Sequence, residues 1–517
     1  MTTWNASAVR ILREARRAGA EAREAVLKRL RSTDFDVLVI GGGATGLGVA
    51  VDAASRGLST AIVEADDWAK CTSSRSTKLV HGGVRYLEQM EFGLVREALH
   101  ERGLLHRNAP HLVHPLAFVV PSYQWWEGPF YGTGMLLYDA LAGRLNLKPS
   151  RFLDREEVLE RIPNAHLDGL RGGVEYFDGQ FDDARMAISL MRTAVACGAA
   201  AATGLRVDEL LIENMRVRGA RVQDDESGAA FTVRARAVIN CTGIFADSIR
   251  ALESTRAIPL IEPAQGVHVV LDRSFQPSEH AIMVPHTDDG RVLFVIPWHG
   301  HTLVGTTDTP MPHAELDPQP TEEEIDFILA NAGRYLQRVP QRSDVLASFA
   351  GQRPLVHPEG TDGVASKKIS REHVVETGPH GLVSVMGGKW TTYRKMAEDG
   401  LDEALRAAGL KAPPCRTETL QIFGAVDRKS ADWPAEEWLE VYGSEAAVLQ
   451  AWMREEPALA APVHAEMPCT LAALAWGLRH EQARNAEDLL FRRIRMGALR
   501  ENATRESMAL LNDVLSP

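Results

Sequence analysis

The 517-residue chain is 45% hydrophobic and 24% charged, the composition of a globular polypeptide long enough for two or three domains. Its net charge of −12 excludes nucleic acid as the main partner but permits a local cationic pocket for a small anion. Five scattered cysteines form no CxxC pair or metal spacing, which points to free thiols in a reducing compartment. No run of 18 apolar residues is present to cross a membrane as a helix.

The first predicted element is the basic helix SAVRILREARRAGAEAREAVLKRLR, Ser7 to Arg31, without the apolar core of a secretory signal. Ile11, Ala15, Ala18, Ala22 and Val26 recur at helical spacing, with eight Lys/Arg against three Glu. Two readings fit: a helix drawn to anionic lipid headgroups, or a solvated helix packed on the body. Its acidic residues argue against a transit peptide.

DVLVI then reads as a buried parallel strand, followed at once by Gly41-x-Gly43-x-x-Gly46, a helix and the strand STAIVEA. Gly41 allows the tight turn, Gly43 a close pyrophosphate, and Gly46 close helix packing. The helix N-terminus at Ala44 and Thr45 favours negative charge. Glu64 ends the second strand, placed to bond adenosine ribose hydroxyls and disfavour a 2′-phosphate. NAD and FAD share this fingerprint. The next stretch, TSSRSTKLVHGGVRYLE (Thr72 to Glu88), favours FAD. Instead of a new βα unit it offers small hydroxyl residues, glycines and cations suited to an extended cofactor. Its expected contacts are Thr72, Ser73, Ser74, Ser76, Lys78, Leu79, His81, Gly82 and Gly83.

His100, His106, His111 and His114 lack a ligand pattern, so no metal is expected and they read as a polar helix and loop surface. YQWWEGPFYGTGMLLYDALAG (Tyr123 to Gly143) is aromatic and apolar but too short to span. It reads either as a segment dipping into lipid and admitting quinone, or as a buried helix. FDDARM (Phe181 to Met186) precedes VINCTGIFAD (Val238 to Asp247), an apolar strand closing on a glycine turn. Thr242 and Gly243 are expected there beside the adenosine half.

GVHVVLD, AIMVPH, RVLFVIPW and HTLVGTT are short apolar runs separated by turn residues, which suits a curved antiparallel sheet. GTTDT ends this series at Gly305 to Thr309. Thr321 followed by three glutamates caps a helix reaching Leu336. GQRPLV (Gly351 to Val356) comes next. GGKWTTYRKMAED (Gly387 to Asp399) opens a helix whose capped N-terminus suits negative charge near N1 and O2 of reduced flavin. Gly388, Lys389, Trp390 and Thr391 are the expected contacts. LKAPPC (Leu410 to Cys415) links to a C-terminal region with helical periodicity.

In this order the six motifs resemble the FAD-dependent, respiratory glycerol-3-phosphate dehydrogenases of the D-amino-acid-oxidase-like flavoproteins, over roughly Phe35 to Gly400. The resemblance implies hydride transfer from C2 of sn-glycerol 3-phosphate to flavin N5, with electrons passed to membrane quinone. It places Arg85 and Tyr86 at the phosphate, with Arg371 and Thr391 as further substrate contacts. Arg353 and Lys389 face the reacting end, where arginine's planar fork holds oxygens bidentately. The base is a histidine titrating near neutrality, His81 or His268. Gln265 stands where some relatives carry lysine, which puts a charge there in doubt. Arg492, Arg493 and Arg495 are expected as a basic edge, explained by packing or by membrane contact.

The expected fold is an α/β chain (α+β overall). A Rossmann-like FAD-binding domain (33–110, 172–255 and 343–409) carries an inserted antiparallel-sheet substrate domain (111–171 and 256–342). An N-terminal helical extension (1–32) and a C-terminal helical domain (416–517) flank them. A cytoplasmic enzyme peripheral to the inner face of the membrane follows from the resemblance. Homodimerisation stays open, and the alternative activity is a glycerol-3-phosphate oxidase reducing O₂ to peroxide.

Overall fold

The computed structural model describes residues 4–84, 87, 90–357 and 372–516. In chain order, α1 (Ala6–Ser32) leads into β1 (Asp34–Ile40), α2 (Ala44–Ser55) and β2 (Thr60–Val63). Then come β3 (Leu79–Val80), α3 (Phe92–Asn108), β4 (Val113–Ser122), α4 (Glu127–Ala142), β5 (Arg151–Asp154), α5 (Arg155–Arg161) and β6 (Gly172–Phe181). The middle comprises α6 (Asp183–Ala196), β7 (Ala200–Ala202), β8 (Leu205–Glu213), β9 (Arg216–Asp224), β10 (Ala230–Asn240) and α7 (Ala246–Glu253). β11 (Ile261–Asp272), β12 (Ala281–Val284), β13 (Leu293–Trp298), β14 (His301–Gly305) and β15 (Thr309–Pro310) follow. α8 (Glu322–Gly333), β16 (Val345–Val356), β17 (His373–Thr377), β18 (Val383–Gly387) and α9 (Tyr393–Ala408) precede the terminal helices α10 (Ala446–Glu455), α11 (Leu471–His480) and α12 (Glu501–Leu515).

Among the described residues the strands form two sheets. The first runs β17-β18-β10-β1-β2-β7, parallel from β18 to β7, with the β8–β9 hairpin on β10. Strands buried on both faces explain the apolar run DVLVI. α2, α6 and α9 pack on one face of this sheet. The second sheet has ten strands in the order β15-β11-β14-β13-β12-β4-β6-β3, with β16 on β11 and β5 on β6. All its pairs are antiparallel except β12 with β4. α8 covers one face; α1, α4 and the terminal helices close the core on the other. β6 and β16 belong to this second sheet, so the changes of sheet do not coincide with the expected breaks at 172 and 343.

One open reading is decided and two expectations change. α1 buries Ala8, Ile11, Leu12, Ala15, Leu27 and Leu30 against the body, so the packed reading holds. Its cations serve as clasps: Arg13 donates to Val514 O at 3.2 Å, Arg23 pairs with Asp224 at 2.6 Å, and Arg29 donates to Gly198 O at 2.8 Å. The histidine group is not a uniform surface, because burial pushes the imidazole of His111 down to about 3. Arg492, Arg493 and Arg495 are all buried, so the expected basic edge is absent. They meet carboxylates of the cofactor-side loops, a junction that packing explains. The capped helix is found as expected: Thr321 and Glu324 form the reciprocal bonds of a capping box.

Candidate active site

The glycine turn begins where β1 ends. Gly41 has φ +106°, and a Cβ there would stand 2.7 Å from Cys241 O at the end of β10. The turn therefore lies flat against the neighbouring strand and opens outward. α2 starts at Ala44, whose N–H donates to Ser73 Oγ at 3.0 Å. The next first-turn N–H groups have no intrahelical acceptor, the ordinary condition of an anion-binding helix start. Glu64 accepts from Gly42 N–H at 2.6 Å and Asp66 N–H at 2.9 Å, and burial pushes its carboxyl up to about 7.

From this turn a cavity of about 1,090 Å³ runs between the two sheets. Gly41, Gly43, Ala44, Thr45 and Glu64 line one end; Thr242 and Gly243 stand beside them. Thr72, Ser73, Ser76, Leu79, His81 and Gly83 supply one long wall, and Gly388, Lys389, Trp390 and Thr391 face it. His268 and Arg353 line the far end. A long pocket joining a phosphate-type turn to a polar chamber fits a dinucleotide with a second ring system.

Four expected contacts do not line the cavity. Gly46 packs helix on turn, since a Cβ there would lie 1.9 Å from Gly41 O. Gly82 donates its N–H to Tyr138 Oη at 2.7 Å. Ser74 and Lys78 face the interior: Lys78 Nζ donates to Ser74 O at 2.8 Å and pairs with Asp183 at 2.7 Å, where burial brings its ammonium down to about 8. Arg85, Tyr86 and Arg371 lie outside the described residues.

Arg353 projects from β16. Its Nη1 donates to Asp308 Oδ1 at 2.9 Å, and its Nη2 to Thr306 Oγ1 and Thr307 O, both at 3.2 Å. A Cβ at Gly266 would stand 2.5 Å from Nη2, so that glycine makes room for the guanidinium. His268, on β11, stacks on Phe349 at 5.0 Å and meets Thr77 Oγ1 through Nε2 at 2.9 Å. Burial, then the charges of Lys78 and Arg353, push its pKa well below the usual histidine range, so the ring is neutral near pH 7. His81, half-buried on the wall, ties the two loops together: its N–H donates to Thr391 Oγ1 at 3.1 Å. Trp390 Nε1 adds a second tie to Ser73 O at 2.8 Å. Gln265 carries no charge and is turned away, its amide donating to Glu324 at 2.8 Å.

Arg291 and Asp308 belong to this chamber and were not singled out in the sequence. Arg291 pairs with Asp289 at 2.5 Å and its Nη1 stands 3.9 Å from Asp308, while Nε and Nη1 are buried without a hydrogen bond. In the sequence it follows two aspartates and a glycine, a pattern that reads as a solvated turn; only the fold turns it inward.

Known proteins show the same organisation. The family model for FAD-dependent oxidoreductases matches residues 36–394, and the model for the C-terminal domain of alpha-glycerophosphate oxidase matches 415–517. The mitochondrial glycerol-3-phosphate dehydrogenase of Mesocricetus auratus is 41% identical over 96% of this chain and 72% of its own. That of Homo sapiens is also 41% identical, with the same coverage. The solved glycerol-3-phosphate dehydrogenase of Bacillus halodurans, complexed with FAD, is 27% identical; its TM-score is 0.75 over 96% of this chain and 97% of its own.

The chain belongs to the FAD-dependent glycerol-3-phosphate dehydrogenase family.

It is accordingly an FAD-dependent oxidoreductase. The L-alpha-glycerophosphate oxidase of Mycoplasma pneumoniae, at 19% identity and TM-score 0.57 over 74% of this chain and 97% of its own, shares the fold. Among the described residues no helix is long and apolar enough to cross a membrane.

Proposed function

We propose that the chain oxidises sn-glycerol 3-phosphate at C2 to dihydroxyacetone phosphate and passes the electrons to membrane quinone. The observation that carries this reading is the lining of the cavity, to which Arg291, Arg353 and Lys389 contribute together with His81 and His268. Several cations suit a phosphorylated polyol better than an amino acid, which calls for one carboxylate-pairing arginine in an apolar pocket.

When bound, FAD supplies the two-electron acceptor for the hydride leaving C2. Asp308 fixes the plane of Arg353, so its guanidinium is aimed before substrate arrives and polarises the C2 oxygen as the carbonyl forms. Lys389 adds positive charge on the flavin side. The C2 hydroxyl proton passes to the His81 imidazole. His268 is less suited as acceptor, because a base so depressed in pKa takes protons poorly near neutrality; it holds Thr77 instead. Arg291, with Arg85, Tyr86 and Arg371, serves the phosphate.

The acceptor side is proposed at α4, with the enzyme resting on the cytoplasmic face of the membrane. This helix buries Tyr131, Met135 and Tyr138, while Trp126, Phe130, Leu136 and Leu137 are exposed on its outer side. The inner Tyr138 Oη bonds Asp178 at 2.9 Å, and Asp178 lines the cavity. One apolar patch thus sits a single helix away from the flavin walls.

Anaerobic titration tests the substrate. Glycerol 3-phosphate should bleach the flavin absorbance, and failure to bleach it refutes the reading. Reoxidation then separates acceptors: quinone should restore colour much faster than air, and the reverse order would make the enzyme an oxidase.

A further inference from the structure

Among the described residues none beyond Met396 lines the cavity, yet the C-terminal module holds the loop that does. Arg495 Nη2 donates to Ser74 O at 3.1 Å and to Asp183 Oδ1 at 2.9 Å, joining positions 421 and 312 residues apart. Asp183 is the hub of this contact. Its Oδ2 accepts from Ser76 N–H at 3.0 Å, Ser76 Oγ at 2.7 Å and Lys78 Nζ at 2.7 Å. The ion pairs are dry: Lys78 and Asp183 have no exposed surface and Arg495 almost none. Asp182 stands 3.4 Å from Arg495 Nε, so two carboxylates face one lysine and one arginine. Removal of Arg495 leaves that buried group one positive charge short, a state the loop relieves by moving or by taking up a proton.

The loop's other side meets the cofactor machinery. Ser73 Oγ receives the Ala44 N–H that starts α2, and Thr77 Oγ1 meets His268. Lys78 holds φ +63°, a conformation uncommon outside glycine and stable only where its surroundings impose it. The bonds through Asp183 and Ser74 are those surroundings.

We propose that Arg495 is a positioning residue for FAD. Through Asp183 the C-terminal module fixes the loop from Thr72 to Val80 in its cofactor-binding shape. The module therefore sets FAD affinity and the rate of flavin reduction without touching either. The inference rests on FAD binding; the choice of substrate enters only its kinetic arm.

The test compares full-length Arg495→Met and Asp183→Asn with Arg192→Met. The last removes another cation joining module to body, through Glu445 at 2.8 Å, without touching the loop. Arg495→Met and Asp183→Asn should raise the Kd for FAD at least about 10-fold and speed hydrogen exchange of the peptide covering residues 72–80. Flavin reduction at saturating glycerol 3-phosphate should slow about 10-fold while KM changes less than about 3-fold. Arg192→Met should leave FAD affinity within about twofold. An Arg495→Met protein that melts earlier, yet keeps its FAD affinity and its 72–80 exchange, overturns the proposal and leaves the contact a mere fastening. Should that variant not fold, Arg495→Lys is read on the same scale: FAD affinity weakened about 3-fold supports the proposal, and unchanged affinity overturns it. A wild-type flavin that glycerol 3-phosphate fails to bleach refutes the substrate reading alone, since the affinity and exchange arms need no substrate.

Discussion

Arg291 and Arg493 are both enclosed and both paired with an aspartate, but their nitrogens are used differently. Arg493 spends all three: Nη1 and Nη2 donate to the two oxygens of Asp67 at 2.8 Å each, and Nε and Nη2 reach Glu481 O. Arg291, in the wall of the cavity, pairs with Asp289 at 2.5 Å and stands 3.9 Å from Asp308 through Nη1, and neither Nε nor Nη1 makes a hydrogen bond. A guanidinium with every nitrogen bonded is a fastening; one beside a cavity whose hydrogen bonds are incomplete keeps charge that a ligand anion can meet. The comparison separates binding arginines from structural ones in a chain where their local sequences look alike.

Arg353 lines the cavity with its donors held by Asp308, Thr306 and Thr307, and its loss should have the largest effect. Arg353→Ala should lower flavin reduction by glycerol 3-phosphate about 10²-fold while FAD stays bound, the scale expected for one preorganised donor at a developing oxyanion. Stopped-flow rates at saturating substrate that match the wild type would remove Arg353 from the chemistry.

On the structural side, Arg493→Met should cost about 2 kcal/mol of stability, less than an unrelieved buried charge because Arg492 still contacts Asp67. The guanidiniums hold the Asp67 carboxyl well below the usual carboxylate range. Its stabilisation is therefore present at neutral pH and lost as pH falls below that range. Acid melting of wild type and variant should converge, and parallel curves would contradict this role.

Arg291→Ala should act through substrate binding, raising KM about 10-fold with a smaller change in kcat. An unchanged KM would place its guanidinium outside the ligand's reach and make Arg291 a fastening like Arg493.

Glu64 gives the smallest effect and a definite sign. Its folded pKa, about 7, lies above the ordinary 4.5, so the folded protein binds the extra proton. In FAD-free protein that stabilisation is complete below about pH 4.5 and is lost as pH rises through 7. Glu64→Gln should therefore gain on the wild type in thermal midpoint between pH 5 and pH 8. A variant that instead loses ground to the wild type as pH rises over that range would reverse the assignment.

The features legible in the sequence were those with local causes. The glycine turn followed from a strand running straight into three glycines, and the capped helix from Thr321 placed three residues before Glu324. The cavity-lining hydroxyls of the Thr72 loop were legible from composition. Lys78 was misread because it sits among true lining residues, and only the buried Asp183 draws it inward. Arg291 escapes a sequence reading because its turn looks solvated, and the terminal arginines read as an edge because Asp67 and Asp183 lie hundreds of residues away.

By itself the sequence determined the cofactor-binding turn, the alternation of strands and helices, and the family these motifs mark, because periodicity and backbone geometry are encoded in neighbouring residues. Tertiary structure alone decided which cations face the cavity and which are neutralised, and that the last hundred residues brace the cofactor loop. The reason is electrostatic. An arginine's function depends on where its nearest carboxylate lies, and in this fold the deciding pairs span 45 to 426 residues of chain.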